Sequence, residues 1–189
     1  MEVPWRVVEP VDLEAALVAA KAGDASAMAP VFRAVHPGLL AYARRHVPDV
    51  AEDVVSETWL AATKGFTSFE GGIDAFRAWM YTIARRRIAD HYRRAGRRPR
   101  LVGLDEAPNE PVDVGDRGFE QLSGDEAIEA LLRHLPPEQA EVVLLRVVAD
   151  LSVDQVAQVM DRSAGSVRVL QHRALRRLAK IFEPKSVTR

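Results

Sequence analysis

Residues 151–178 read LSVDQVAQVMDRSAGSVRVLQHRALRRL, two short amphipathic helices joined by a tight turn, the second rich in arginine. Ser152 with Gln155 three positions on is a capping box, and Leu151 and Val156 stand where a hydrophobic staple closes a helix start. Val153, Val156, Ala157 and Met160 give the first helix one apolar face. Residues 161–165 interrupt that pattern, and Ser163 is placed to cap a second helix. At about 100° per residue, Val167, Leu170, Ala174 and Leu178 line one side of this helix, while Arg168, Val169, His172, Arg173 and Arg176 face outward. The design suits a helix-turn-helix whose second helix enters a DNA major groove. The less favoured alternative is two helices of an ordinary all-α protein with solvated arginines.

Upstream, helical periodicity continues. Ile128, Leu131, Leu132 and Leu135 mark one helix, and Pro136-Pro137 ends it and opens another containing Val142, Val143, Leu145 and Val147. Pro184 closes the module. Before it, residues 99–121 are acidic and contain prolines, glycines and few large apolar side chains, which predicts a flexible linker rather than core. The N-terminal part is helical again. Asp12 caps a first helix ending at Gly23, and a second runs from Asp24 toward Val35 with Met28, Val31, Phe32 and Val35 on its buried side. Pro37 is expected to interrupt it before the pattern resumes to His46. From Pro48 to Gly65, Val54, Val55, Thr58, Trp59 and Ala62 form an inner stripe, with Glu52, Asp53, Ser56 and Glu57 outside. Residues 66–74 read as a loop with two aromatics and a Gly-Gly turn, followed by a long helix from about Ala75 to Arg94.

The net charge of −1 hides a strong segregation of sign. Arg77, Arg85, Arg86, Arg87, Arg93, Arg94, Arg97, Arg98 and Arg100 oppose only Asp90. Between residues 104 and 126, Asp105, Glu106, Glu110, Asp113, Asp116, Glu120, Asp125 and Glu126 oppose only Arg117. The basic stretch FRAWMYTIARRRIADHYRRAGRR (residues 76–98) interleaves arginine with aromatic rings. That combination suits phosphate contact plus stacking on bases that have left the duplex. Phe76 and Met80, at helical spacing, read as core instead.

Catalytic chemistry finds no foothold. Cysteine is absent. His36, His46, His91, His134 and His172 lie far apart in no zinc spacing, and there is neither a phosphate-cradling glycine loop nor a nucleophile elbow. Asp53 and Glu57 share a helix face without the Glu-x-x-His partner of a carboxylate metal site. No enzyme, cofactor or metal is expected. No apolar run reaches membrane-span length and the start MEVPWRVVEP does not resemble a signal peptide, so a soluble cytoplasmic protein without direct membrane insertion is expected.

Three ordered stretches together resemble the extracytoplasmic-function sigma factors of bacterial RNA polymerase: AEDVVSETWLAA (residues 51–62) the family's region 2.2, FRAWMYTIARRRIADHYRR (76–94) regions 2.3 and 2.4, and LPPEQAEVVLLRVVADLSVDQVAQVMDRSAGSVRVLQHRALRRL (135–178) region 4. The resemblance implies an all-α protein of two small helical domains, a region 2-like domain (12–98) and a region 4-like helix-turn-helix domain (122–183), between tails 1–11 and 184–189. It implies a promoter-specificity subunit that binds core polymerase, recognises −35 and −10 elements and opens the latter. Glu52, Asp53, Ser56, Glu57 and Leu60 would meet the clamp of the largest polymerase subunit, and the C-terminal domain the flap of the second-largest. Phe69, Asp74, Arg77, Trp79, Arg85, Arg86, Arg87, His91, Arg93, Arg94, Arg97 and Arg98 would meet −10 DNA. Ser163, Gly165, Ser166, Arg168, Val169, His172, Arg173 and Arg176 would meet −35 DNA. An anti-sigma factor is a further implied partner, and the acidic linker would either thread the polymerase's basic channel or serve only as a solvated tether. Where this chain has Val169 and Leu170, the family often carries a small polar residue and an arginine. The competing reading is a stand-alone helix-turn-helix regulator whose N-terminal half senses a ligand or dimerises.

Overall fold

The structure, a computed structural model, describes residues 11–96, 128 and 130–182. Among these residues every regular element is helical: α1 (Leu13–Lys21), α2 (Met28–His46), α3 (Ala51–Gly65), α4 (Ile73–Arg94), α5 (Pro137–Val147), α6 (Val153–Met160) and α7 (Ala164–Phe182), with single 3-10 turns at Ala25–Ala27, Pro48–Val50 and Phe66–Ser68. The expected linker 99–121, most of both tails, and Arg97 and Arg98 lie outside the described residues.

Local chemistry sets most boundaries. The Asp12 carboxylate accepts from the amides of Glu14 and Ala15, each at 3.0 Å, and starts α1. Pro137 occupies the first turn of α5, where its missing N–H costs nothing. The capping box at α6 is complete, with Ser152 Oγ accepting from Gln155 N and Gln155 Oε1 from Ser152 N. Asp161 ends α6 at φ 55°, and Ser163 Oγ accepts from Ser166 N to begin α7.

Two expectations need correction. Pro37 does not interrupt the second helix; α2 runs unbroken through it. Interior proline costs about 3 kcal/mol, but Val35 and Leu39 on either side of it are buried in the core, and each contributes a burial term of about 2 kcal/mol. Phe32 is not buried: it is 40% exposed, its ring stacked on His36 at 4.5 Å and against Trp59 at 4.8 Å on the outer surface of α2 and α3.

The N-terminal helices pack with α4 central, against α2 and α3. The C-terminal helices form a second bundle in which α7 lies across α5 and α6. The halves are not separate. α4 packs along α6, and one apolar cluster runs from Leu39, Tyr42 and Met80 to Leu132, Leu145 and Leu151.

Candidate nucleic-acid interface and the contact between the modules

On α7 the apolar side closes onto the bundle through Val167 and Ala174, both fully buried. Gly165, Arg168, His172, Arg173 and Arg176 are exposed on the opposite side, and Val169 is 49% exposed among them. Ser163 spends its hydroxyl on capping and Ser166 is half-buried. Arg162, just before the helix, pairs with Glu138 and ties the turn back to α5. An apolar side chain between guanidinium groups can touch a thymine methyl while its neighbours reach phosphate or guanine.

The loop before α4 is built on aromatic packing. Phe69 stacks on Trp79 at 5.0 Å and meets the edge of Phe76 at 5.7 Å. Phe76 and Met80 are core, as their spacing indicates. Trp79 and Phe69 are half-buried, so each shows part of its ring. Trp79 also closes over Gly65, where an added Cβ would stand 3.0 Å from the indole. Asp74, Arg86, Arg93 and Arg94 are exposed, while Arg87 and His91 are half-buried; Arg93 pairs with Asp90. Two contacts to this loop come from α1, with Lys21 Nζ donating to the Phe69 carbonyl and Ile73 N donating to Glu14 Oε2.

A third surface lies on α3. Glu52, Asp53, Ser56 and Glu57 are all exposed, and Leu60 beside them is 62% exposed. Glu52 pairs with Arg44 at 2.8 Å, and this hydrogen bond holds its carboxyl below the usual range.

Arg77 and Arg85 behave differently from the rest of the basic helix, because both face the C-terminal half. Glu141 of α5 is only 2% exposed; Arg85 Nε donates to its Oε1 at 3.1 Å and Tyr42 Oη donates to the same oxygen at 3.0 Å. Burial pushes the Glu141 carboxyl up, against the opposing pull of Arg85, and pushes the Tyr42 phenol up strongly. Arg77 lies 3.6 Å from Asp74 and from Asp150, Gln155 Nε2 donates to the Asp74 carbonyl at 2.9 Å, and Arg45 donates to the Leu132 carbonyl at 3.2 Å. Nearby, His46 is half-buried and its imidazole is lowered to about 3, first by desolvation and then by Arg45 and Arg85. Gly38 allows the closest approach: a Cβ there would stand 2.5 Å from the Tyr81 hydroxyl and 3.4 Å from the Val148 carbonyl.

Among the described residues, the site residues singled out from sequence thus fall on three surfaces of α3, α4 with its preceding loop, and α7, except Arg77 and Arg85, which meet the second module. Glu141, Tyr42, Glu14 and Lys21 were not singled out. Glu141 carried a signal: it precedes Leu144 and Leu145 by three and four positions, on the apolar face of α5.

Residues 31–98 match the Sigma-70 region 2 family and residues 125–178 match the Sigma-70, region 4 family. The chain is 36% identical over 180 residues to the ECF RNA polymerase sigma factor SigD of Mycobacterium bovis, covering 88% of this chain and 82% of SigD. It is 36% identical over 172 residues to the ECF RNA polymerase sigma factor ShbA of Streptomyces griseus, covering 85% of this chain and 90% of ShbA. Among solved structures, it resembles the sigma factor RpoE in complex with the anti-sigma factor NepR from Bartonella quintana, with a TM-score of 0.58, 26% identity, and coverage of 84% of this chain and 96% of that one. The fold is also that of CnrH in complex with the cytosolic domain of CnrY, with a TM-score of 0.60, 23% identity, and coverage of 93% and 100%.

Proposed function

The chain belongs to the extracytoplasmic-function branch of the sigma-70 family, and on that premise we propose how its surfaces divide the work of a promoter-specificity subunit. The protein binds core RNA polymerase and directs it to promoter DNA for initiation. It is a regulatory DNA-binding subunit; catalysis belongs to the polymerase. Its place of action is the cytoplasm, where polymerase and promoter are, and among the described residues no helix is long and apolar enough to cross a membrane.

The acidic face of α3, with Leu60 at its centre, docks on the clamp of the largest subunit. Its charges set orientation and encounter rate, and Leu60 supplies an apolar anchor. The C-terminal domain, residues 122–183, docks on the flap while α7 enters the major groove at −35. There Arg168, Arg173 and Arg176 grip and Val169 reads. The domain of residues 12–98 opens the −10 element: Arg86, Arg87, Arg93 and Arg94 of α4 neutralise phosphates, and the Phe69–Asp74 loop beside Trp79 receives an unstacked base, which costs a few kcal/mol to extrude.

The observation that supports this division is that the three groups of residues stand on separate helices, α3, α4 and α7, and that each group includes exposed side chains. Arg77 and Arg85 add a condition. They hold acids of the other module, so DNA or polymerase must first draw the modules apart before those arginines reach phosphate. An anti-sigma factor would act by stabilising the closed arrangement.

The decisive experiment adds the purified full-length chain to core polymerase on duplex promoter templates. Promoter-specific transcripts that core alone does not make support the reading. Tight binding to a duplex operator without core, and no binding to core, would replace it with the stand-alone regulator.

A further inference from the structure

We propose that Glu14 and Lys21 of α1 are positioning residues that clamp the loop before α4 and thereby set −10 base selection. The inference rests on the assignment of that loop as the −10 reader, and it concerns a helix lying ahead of the segment that matches region 2.

Glu14 and Lys21 are seven residues apart, two helical turns, so they share one face of α1 about 10 Å from each other. Each grips the loop at a different point. Lys21 Nζ donates to the Phe69 carbonyl at 2.6 Å and lies 5.6 Å from the centroid of the Phe69 ring. Ile73 N donates to Glu14 Oε2 at 2.7 Å. The segment between these two anchor points is Glu70-Gly71-Gly72, with Glu70 and Gly71 exposed.

Left alone, that tip would sample many conformations. Gly71 sits at φ +125°, and two adjacent glycines lose the most freedom on ordering. The N-cap of α4 is Gly72, which has no side chain to satisfy the helix's first amides, so Glu14 reaches across from another helix to do so. Its negative charge also faces the positive end of the α4 dipole. The fit is close: a Cβ on Gly72 would stand 2.5 and 2.7 Å from the two Glu14 carboxylate oxygens. α1 therefore adds a polar anchor at each flank of the tip, one of them beside the aromatic packing of Phe69 on Trp79 and Phe76. An unstacked base then meets a loop whose ordering cost has already been met within the folded protein.

The test uses holoenzyme assembled from the full chain and templates carrying each of the four bases in turn at each −10 position. The readout is the rate of open-complex formation, and the quantity compared is the ratio of best to worst base. Glu14→Ala and Lys21→Met should lower that ratio about three- to tenfold, the scale of one charge-assisted hydrogen bond at a partly exposed site. Core affinity and −35 dependence should stay as in the wild type. Lys21→Arg, which keeps the charged donor, should retain the ratio. If Glu14→Ala does not fold, Lys21→Met carries the test, with Lys21→Arg as its control.

A loss of rate that is uniform over all bases, or no change at all, overturns the proposal. Glu70→Ala and Ser68→Ala on the same templates separate two kinds of failure. If these loop variants alter base preference and the α1 variants do not, the clamp alone is wrong. If the loop variants also leave preference unchanged, the loop is not the −10 reader and both readings fall.

Discussion

Replacing Glu141 by alanine should open the molecule. In the closed arrangement its carboxylate is buried and accepts from Arg85 at 3.1 Å and Tyr42 at 3.0 Å. Once the modules part, position 141 becomes an exposed site in α5, where alanine is the better helix former. The loss therefore falls on the closed state. A hydrogen bond to a charged group contributes about 1.5–3 kcal/mol, and the Tyr42 hydroxyl would be left buried without its acceptor for about 1–3 kcal/mol more. Against this stands the relief of a desolvated carboxylate, and Arg85, at 22% side-chain exposure, recovers part of its hydration. A net shift of about 2–4 kcal/mol remains, roughly 30- to 800-fold in the ratio of open to closed molecules. The chain has no cysteine, so Thr63→Cys on α3 and Lys180→Cys on α7 give a unique dye pair for energy transfer. Transfer should fall in the Glu141→Ala variant and association with core polymerase should quicken. The pH dependence has a definite sign. Because the Glu141 carboxyl is raised in the closed form, closing takes up protons. Its stabilising contribution is complete below the ordinary carboxylate value and is lost as pH rises through the raised one. The difference between wild type and variant should widen as the solution is acidified. Unchanged transfer and unchanged association rate would refute the assignment of this contact as the latch.

Three further outcomes follow from the same geometry. Val169→Ser should change preference among −35 variants more than overall affinity, measured by binding of holoenzyme to a set of −35 substitutions; equal losses on all of them would count against a reading role. His46 is lowered to about 3, so the unfolded chain binds the extra proton and stability should decline as pH falls from about 6.5 toward 3, by about 2 kcal/mol at pH 5. His46→Gln should flatten the melting temperature against pH across that window. Gly38→Ala should displace the Tyr81 phenol and destabilise the fold by about 1–3 kcal/mol, read as a lower melting temperature with reduced energy transfer between the modules.

Much of this molecule is legible from its sequence because its signals are local. The capping box at Ser152 and Gln155, the apolar line from Val167 to Ala174 and the core assignment of Phe76 and Met80 each depend on spacing within one helix. Pro37 shows where local rules fail, since burial on both sides of it carries α2 through a residue that would end an isolated helix. Phe32 shows the same failure in reverse: periodicity assigns it to the core, yet the adjacent Trp59 and His36 hold it on the surface. Long-range pairs are the least readable. Glu141 meets partners 56 and 99 residues away, and Glu14 and Lys21 meet backbone atoms 59 and 48 residues away. Nothing in a single helix reports a hydrogen bond that crosses half the chain. The arginines of α4 read alike in sequence, and only packing separates those facing Glu141 and Asp150 from those facing solvent.

Gln155 uses both ends of its amide, the oxygen accepting from Ser152 N at 2.7 Å and the nitrogen donating to the Asp74 carbonyl at 2.9 Å. When the modules separate, only the second bond is lost, and the helix pair that reads −35 keeps its cap. Glutamate at this position would preserve the cap equally well but would turn an acceptor toward the Asp74 carbonyl. Position 155 is thus a point where evolution can retune how readily the factor is released for work while leaving its promoter vocabulary untouched. Threshold and specificity can drift independently because one small side chain faces both ways.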